Sequence, residues 1–251
     1  MLPGSKRGDR RWTTSAEKKY HSTYLVHDGE HVVSKATSGG MSSIGDRRHV
    51  EDRPAAPVSI PADKLKIGLA SWIIQDGNYG NFETGMRTEF ALEFFSKNLT
   101  SLDEGAARTP SIMHIEDDQY RVVGKLVHVG AGWIVLDFGC VAYQSAVRGG
   151  TYHVGGWYKG EITISVDPFS YFERLCNQSD APPLIYAWRI DAIEMLTAPL
   201  VEEKGGLRRR DTSKWGWKCV EKTDAWNDDD GHAEYILSCS MLSTEARSEF
   251  S

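Results

Sequence analysis

The densest run of side chains that could do chemistry is KTDAWNDDDGHAEYILSC, residues 222–239. Aspartates followed by glycine occur in calcium loops, and carboxylates beside histidine occur in acid–base sites. When Gly231 is aligned with the glycine of an EF-hand loop, Asp228 and Asp230 fall on ligand positions. The first and last ligand positions, however, hold tryptophan and leucine, and the flanks alternate as strands do. The run therefore predicts an acidic turn rather than a calcium site.

The same run predicts a hairpin loop of odd length. The apolar residues before and after the turn all have odd numbers, and a one-residue slip would send one set to the wrong face. This parity rejects a two-residue turn at Asp230-Gly231. It favours either a three-residue loop, 229–231, or a five-residue loop, 227–231. In both registers Cys219 and Cys239 would be neighbouring thiols in the core.

A glycine-rich loop at 148–160, RGGTYHVGGWYKG, carries cations among aromatics. It lacks the dinucleotide and Walker patterns, and a strand rather than a helix follows it. Such aromatics and cations can stack on bases or hold an acidic ligand. The alternative is a long turn whose aromatics cover a barrel mouth. The candidate binding residues here are Arg148, Tyr152, His153, Trp157 and Lys159, and those of the acidic turn are Asp228, Asp229, Asp230 and His232.

A basic segment, KGGLRRR at 204–210, precedes two tryptophans. Arginines in a cluster favour contacts with phosphates, so Arg208, Arg209 and Arg210 are candidates for nucleic-acid binding. The alternative is a solvated loop whose neighbouring tryptophans lie in the core, which the overall acidity of the chain favours.

No complete catalytic or metal-binding signature occurs in the chain. Asp137-Phe138-Gly139 matches the metal-binding tripeptide of kinases, but the other kinase motifs are missing, and Gly139 is interpreted as a bulge or a close backbone approach. The four cysteines form no CxxC pair, and no nucleophile elbow or zinc spacing is present. We therefore expect no catalytic residue, metal or cofactor. An enzyme with a site near His153 and His232 remains the less favoured alternative.

The body of the chain is a series of alternating apolar runs. Leu65, Ile67 and Leu69 share one face of a strand, and EFALEFF places its phenylalanines and leucine opposite Glu89 and Glu93. WIVLDFGCVAY is apolar on both faces and is interpreted as one central strand. About seven or eight strands with little helix predict an antiparallel β-barrel, OB-like or a similar small barrel, because closure removes exposed edges. A β-sandwich is the alternative.

Residues 1–61 differ in composition from the rest of the chain. They are poor in apolar side chains and predict a disordered tail and linker. We expect 62–245 to form a single barrel domain and 246–251 a C-terminal tail. One hypothesis is that translation starts at Met41.

Charge and composition point to a binding protein. The chain of 251 residues has a formal net charge of −6, which disfavours a general nucleic-acid coat. The first residues lack the apolar run of a signal peptide, no stretch has the length of a membrane span, and cysteine is sparse, so we expect a cytoplasmic protein. The favoured function is non-enzymatic binding of a protein partner or ligand, inhibitor- or immunity-like, in which acidity steers a basic partner. A nucleic-acid-binding barrel using 148–160 and Arg208–Arg210 is the alternative.

Overall fold

The computed structural model describes residues 63–96, 98–103, 108–145, 147, 151–202 and 208–250. One α-helix is present in this part of the chain, α1 (Ser71–Gln75), and helical turns occur at Tyr171–Leu175, Thr212–Lys214 and Asp228–Gly231. The strands are β1 (Lys64–Ala70), β2 (Arg87–Ser96), β3 (Thr100–Ser101), β4 (Ser111–Glu116), β5 (Gln119–Gly130), β6 (Trp133–Asp137), β7 (Val141–Gln144), β8 (Trp157–Val166), β9 (Ile185–Leu196), β10 (Leu200–Glu202), β11 (Arg208–Arg210), β12 (Trp217–Val220) and β13 (Glu234–Met241).

Eight of these strands close into a mixed β-barrel. The circuit runs β9–β13–β1–β8–β5–β6–β7–β2 and returns to β9, while β2 also pairs directly with β8. Three further strands, β3, β4 and β12, lie outside the circuit, and β10 and β11 form a separate two-stranded ribbon. The predicted β-barrel with little helix is confirmed. The barrel is mixed rather than purely antiparallel, because β1 meets β8, and β2 meets β7, in parallel.

Alternation along the strands fills the barrel interior. Leu65, Ile67 and Leu69 of β1 are buried, as predicted, and so are Phe90 and its partners on β2. Burial of each such side chain stabilises the fold by roughly 1.5–3 kcal/mol. Tyr120 of β5 reaches β1 across the interior, where its hydroxyl donates to the Lys66 carbonyl at 3.0 Å.

A second apolar cluster lies outside the barrel wall. After β8, the segment 168–184 crosses the outer face of β2, β6 and β7, where Tyr171 and Leu175 pack against Ala91, Trp133 and Tyr143. The wall is therefore buried on both faces at this place, which accounts for the apolar character of WIVLDFGCVAY on both faces.

The interpretation of WIVLDFGCVAY as one strand was wrong. The run forms two antiparallel strands, β6 and β7, joined by a turn at residues 138–140. Gly139 lies in this turn with φ 113°, and its N–H donates to the Asp137 carboxylate at 3.0 Å. Only glycine adopts such a φ at little steric cost, so the glycine marks a turn and not a bulge.

The predicted hairpin between β12 and β13 was also wrong. β9 lies between these strands and pairs with β12 on one side and β13 on the other. Cys219 is consequently exposed on an outer strand, whereas Cys239 is buried in the barrel. Strands that are adjacent in sequence need not be hydrogen-bonded to each other, and the connection 221–233 is long enough to cross the end of β9.

The predicted tail 1–61 and the start at Met41 lie outside the described residues, and the boundaries at 62 and 245 stay predictions. Near the C-terminus, Arg247 forms a β-bridge with Ile185, and Phe250 stacks on Phe169. No helix in the described part of the chain is both long enough and apolar enough to span a membrane.

Candidate binding surface

One end of the barrel carries three exposed tryptophans. At this end β1 and β9 finish and β13 begins, since Ala70 pairs with Glu234 and Met195 with Tyr235. We call it the tryptophan end and define it as α1 together with residues 211–217 and 223–233. Large apolar side chains at exposed positions of one surface are a mark of interaction sites.

The three tryptophans are exposed, and hydrogen bonds join the segments that carry two of them. Trp72, on α1, is 41% exposed, Trp215, before β12, is 49% exposed, and Trp226, in the 223–233 segment, is 66% exposed. The Gln75 side chain donates from α1 to the carbonyls of Ala225 at 2.6 Å and Gly231 at 2.9 Å. These bonds fix the Trp226 segment against the helix that carries Trp72.

Trp215 is positioned by the end of β9. The Thr197 N–H donates to the Gly216 carbonyl at 2.8 Å, which places the chain before β12 beside the last residues of β9. The rings of Trp215 and Trp217 meet edge to face with centroids 6.2 Å apart. A rigid aromatic pair of this kind loses little conformational entropy on binding.

The acidic turn has an unusual backbone. Asp229 and Asp230 adopt φ of 47° and 54°, and Gly231 follows with φ 80°. Aspartate tolerates the left-handed region better than most residues because its short side chain bonds locally. Asp228 is engaged inside the fold, since its carboxylate accepts from the Tyr235 hydroxyl at 2.8 Å and from the Asp224 N–H at 3.0 Å.

Arg210 joins the basic segment to this acidic turn. Its side chain is 9% exposed and donates to the Asp229 carboxylate, to the Ala198 carbonyl at 2.9 Å and to the His232 carbonyl at 2.5 Å. Burial raises the pKa of Glu234. The Arg210 guanidinium, 3.6 Å away, lowers this pKa by a smaller amount. Arg210 is therefore a structural clamp, although the sequence suggested a nucleic-acid contact.

A groove of about 350 Å³ separates the β10–β11 ribbon from the acidic turn. Leu200, Glu202 and Arg208 line one side, and Asp230 and His232 line the other. Two segments that the sequence assigned to different sites thus form one surface next to the exposed tryptophans.

The 151–160 part of the glycine-rich loop is pinned to the barrel. The Tyr152 ring packs on Tyr158 at 5.5 Å, and the His153 N–H donates to the Tyr158 hydroxyl at 3.1 Å. Trp157 and Lys159 belong to β8, where Trp157 is half-buried and Lys159 is exposed. Arg148 lies outside the described residues.

The glycine-rich loop and the acidic turn lie at opposite ends of the barrel. β8 runs parallel to β1, and the loop precedes the start of β8. The acidic turn precedes β13, whose first residue pairs with the last residue of β1. The structure therefore does not bring His153 and His232 together.

A second groove, of about 360 Å³, lies near the glycine-rich loop and is lined by Val129, Trp133, Val147 and Tyr152. Within the described residues, no group of three or more His, Cys, Asp or Glu side chains is arranged to hold a metal ion.

Sequence reasoning missed a pair of buried carboxyl groups on the barrel wall. Glu93 of β2 is 5% exposed and Asp167, directly after β8, is 2% exposed. Burial raises the pKa of Glu93 to about 7, a rise that the hydrogen bond from Ser145 opposes and Asp167 reinforces. Burial likewise raises the pKa of Asp167 to about 6, against hydrogen bonds from Tyr143 and from backbone N–H groups. The alternation of EFALEFF places Glu93 on the outer face of its strand, so the sequence predicted that Glu93 is exposed to solvent. The segment 168–184 covers this face, but it has no regular pattern that would predict such a position.

Comparisons of the chain with models of known families, with curated proteins and with solved structures gave no match.

Proposed function

We propose that this protein acts by binding a protein partner through the tryptophan end of its barrel. The observation that carries the proposal is the exposure of Trp72, Trp215 and Trp226 at one end of the barrel. Tryptophan is the residue most enriched among interface positions that dominate binding energy, and it acts from the centre of a patch rimmed by polar groups.

The geometry beside the tryptophans supports a rigid docking surface. Gln75 bonds fix Trp226 relative to α1, and Arg210 fixes the acidic turn relative to the β10–β11 ribbon. A surface that is already ordered avoids much of the entropic cost of association.

The expected partner presents basic side chains at its rim. Asp76 and Asp230 are exposed at this end, and the whole chain carries a net charge of −6. Complementary charge raises the association rate and selects against acidic partners. We keep a cytoplasmic location, inferred from cysteine usage, as part of the same proposal.

The proposal is tested by affinity capture with matched variants. Three baits of full length are compared: the wild type, a double variant with Trp72→Ser and Trp226→Ser, and a control with Val154→Ser. The control removes an exposed apolar side chain in the glycine-rich loop. A protein retained by the wild type and by the control, but lost with the double variant, supports the proposal. Equal recovery with all three baits would contradict it.

Nucleic-acid binding is the second candidate. Arg208 and Arg209 are exposed on β11, while Arg210 is bonded to Asp229 and has less capacity for phosphate. An OB-like barrel would strengthen this candidate, but OB-folds have five strands and this barrel has eight. A steep fall of single-strand affinity with salt, reduced in Arg208→Ala, would favour it over protein binding.

We do not propose an enzyme built on His153 and His232, because the two histidines precede strands that start at opposite ends of the barrel.

A further inference from the structure

The buried carboxyl pair lies between the barrel wall and the segment that crosses it. Glu93 points outward from β2, opposite Ser165 of β8 and Tyr143 of β7. Asp167 begins the connection that continues as segment 168–184, and its N–H donates to the Ala91 carbonyl at 3.0 Å. The pair thus occupies the junction at which the segment leaves the wall.

Hydrogen bonds make Asp167 the link between wall and segment. Its carboxylate accepts from the Tyr143 hydroxyl on the wall and lies 3.3 Å from the N–H of Tyr171 in the segment. Glu93 accepts from the Ser145 hydroxyl at 2.5 Å. Ionisation of either carboxyl group strengthens the hydrogen bonds that it accepts, but ionisation of both places two negative charges next to each other in a buried site.

Charged and titratable groups face the pair from each element packed against it. From the segment, Arg174 lowers the pKa of both carboxyls, but its side chain is exposed and bonds Ser170 at 3.0 Å. From β7, the Tyr143 phenol has its pKa raised by burial and by both carboxyls. From the 76–82 stretch, burial and then the charge of Asp167 raise the pKa of Tyr79. The buried Tyr79 hydroxyl has no hydrogen-bond partner among the described residues.

The segment is held in a conformation that needs its contacts. Phe169 has φ 68°, which is strained for an aromatic residue, and the following turn at Tyr171–Leu175 is π-helical. Strained backbone persists only where surrounding contacts determine it, and π-turns concentrate at functional sites. Repulsion between two charges at this junction would therefore act on the strained segment before it affects the barrel.

We propose that Glu93 and Asp167 form a proton-operated latch. While the pair holds a proton, the segment 168–184 stays closed on the barrel wall. When both carboxyls ionise, their repulsion loosens the segment and exposes the second apolar cluster, including Tyr171 and Leu175.

The direction with pH follows from the burial of the two groups. Both carboxyls have pKa values raised above those of the open, solvated form, so the closed form binds protons more tightly. Closure is therefore complete in acid and weakens as the pH rises through about 6 to 7.

Hydrogen exchange of the isolated full chain between pH 5 and 8 tests the latch without any partner, so its result is independent of the proposed function. Protection factors, corrected for intrinsic exchange, are compared for peptides covering 168–184 and for peptides covering β13. We expect protection of 168–184 to fall by about tenfold or more across this range, since one pKa unit corresponds to a tenfold change in equilibrium. β13 should change little. A pH-independent protection of 168–184 would overturn the proposal.

Two variants and one control sharpen the test. Glu93→Gln fixes a neutral group of the same shape and should leave 168–184 protected at pH 8. Ser145→Ala removes a bond that favours the ionised carboxylate, so the midpoint should move to higher pH. Glu161→Gln, on an exposed residue of β8, should behave as wild type. If Glu93→Gln does not fold, the direction of the Ser145→Ala shift decides, and an unchanged or lower midpoint contradicts the latch.

Discussion

Replacement of Arg210 by alanine should destabilise the whole fold far more than replacement of its neighbour Arg208. The Arg210 guanidinium bonds one carboxylate and two backbone carbonyls, and its side chain is 9% exposed. It therefore connects the β10–β11 ribbon, the end of β9 and the acidic turn.

The expected loss in the free energy of unfolding follows from the groups that Arg210→Ala leaves without a partner. A hydrogen bond to a charged group contributes about 1.5–3 kcal/mol, and one between neutral groups about 1 kcal/mol. Removal of one member of a largely buried ion pair typically costs about 3–5 kcal/mol, because the other charge stays behind without its partner. Asp229 keeps only 25% of its side chain exposed, so we expect Arg210→Ala to lower the free energy of unfolding by about 3 kcal/mol.

Guanidinium chloride unfolding, followed by tryptophan fluorescence, measures this change. The midpoint should fall with little change in slope, because the surface exposed on unfolding is nearly the same. Arg208→Ala, at an exposed position of the same strand, should stay within about 0.5 kcal/mol of the wild type. A loss below about 1 kcal/mol for Arg210→Ala would refute the clamp, as would equal losses for the two variants.

Three further results are expected. Gly124→Ala should lower the free energy of unfolding by about 1–3 kcal/mol, because its Cβ would lie 2.8 Å from a backbone carbonyl, while Gly80→Ala, with open space around it, should be neutral in the same denaturation assay. Cys219 should react with a thiol reagent in the native state, whereas Cys239 should react only after unfolding, since it is buried and burial raises the pKa of its thiol; equal rates would contradict the β9-centred pairing. The free energy of unfolding should fall as the pH rises from about 4 to 7, because the pKa of Glu93 is raised from 4.5 to about 7 in the folded state. Denaturation series at several pH values measure this fall, and Glu93→Gln should reduce it by about 3 kcal/mol.

Local alternation was sufficient to predict most of the barrel strands, although it merged β6 and β7 into one. Ile162, Ile164 and Val166 of β8 are buried as their period of two requires, and Trp188 of β9 lies in the core. Such patterns report which face of a strand is buried and nothing about its neighbours. The sequence therefore predicted a barrel but neither the parallel contacts of β1 nor the position of β9 between β12 and β13.

The features that the sequence did not predict depend on contacts between distant segments. Glu93 looks solvent-exposed until segment 168–184 covers it, and Arg210 looks like a phosphate contact until the acidic turn meets it. The acidic run was expected to form a turn, and residues 228–231 do form one, yet two of its aspartates are engaged in the fold. Local composition does not encode such long-range partners.

The central claim, that the tryptophan end binds a protein partner, is tested most directly by site-specific photo-cross-linking in cells. A photoreactive amino acid replaces Trp226 in one variant, Trp215 in a second and Val154 in a third. We expect the first two variants to cross-link to the same protein and the third not to do so. A cross-link that forms only from position 154, or that forms equally from all three positions, would contradict it.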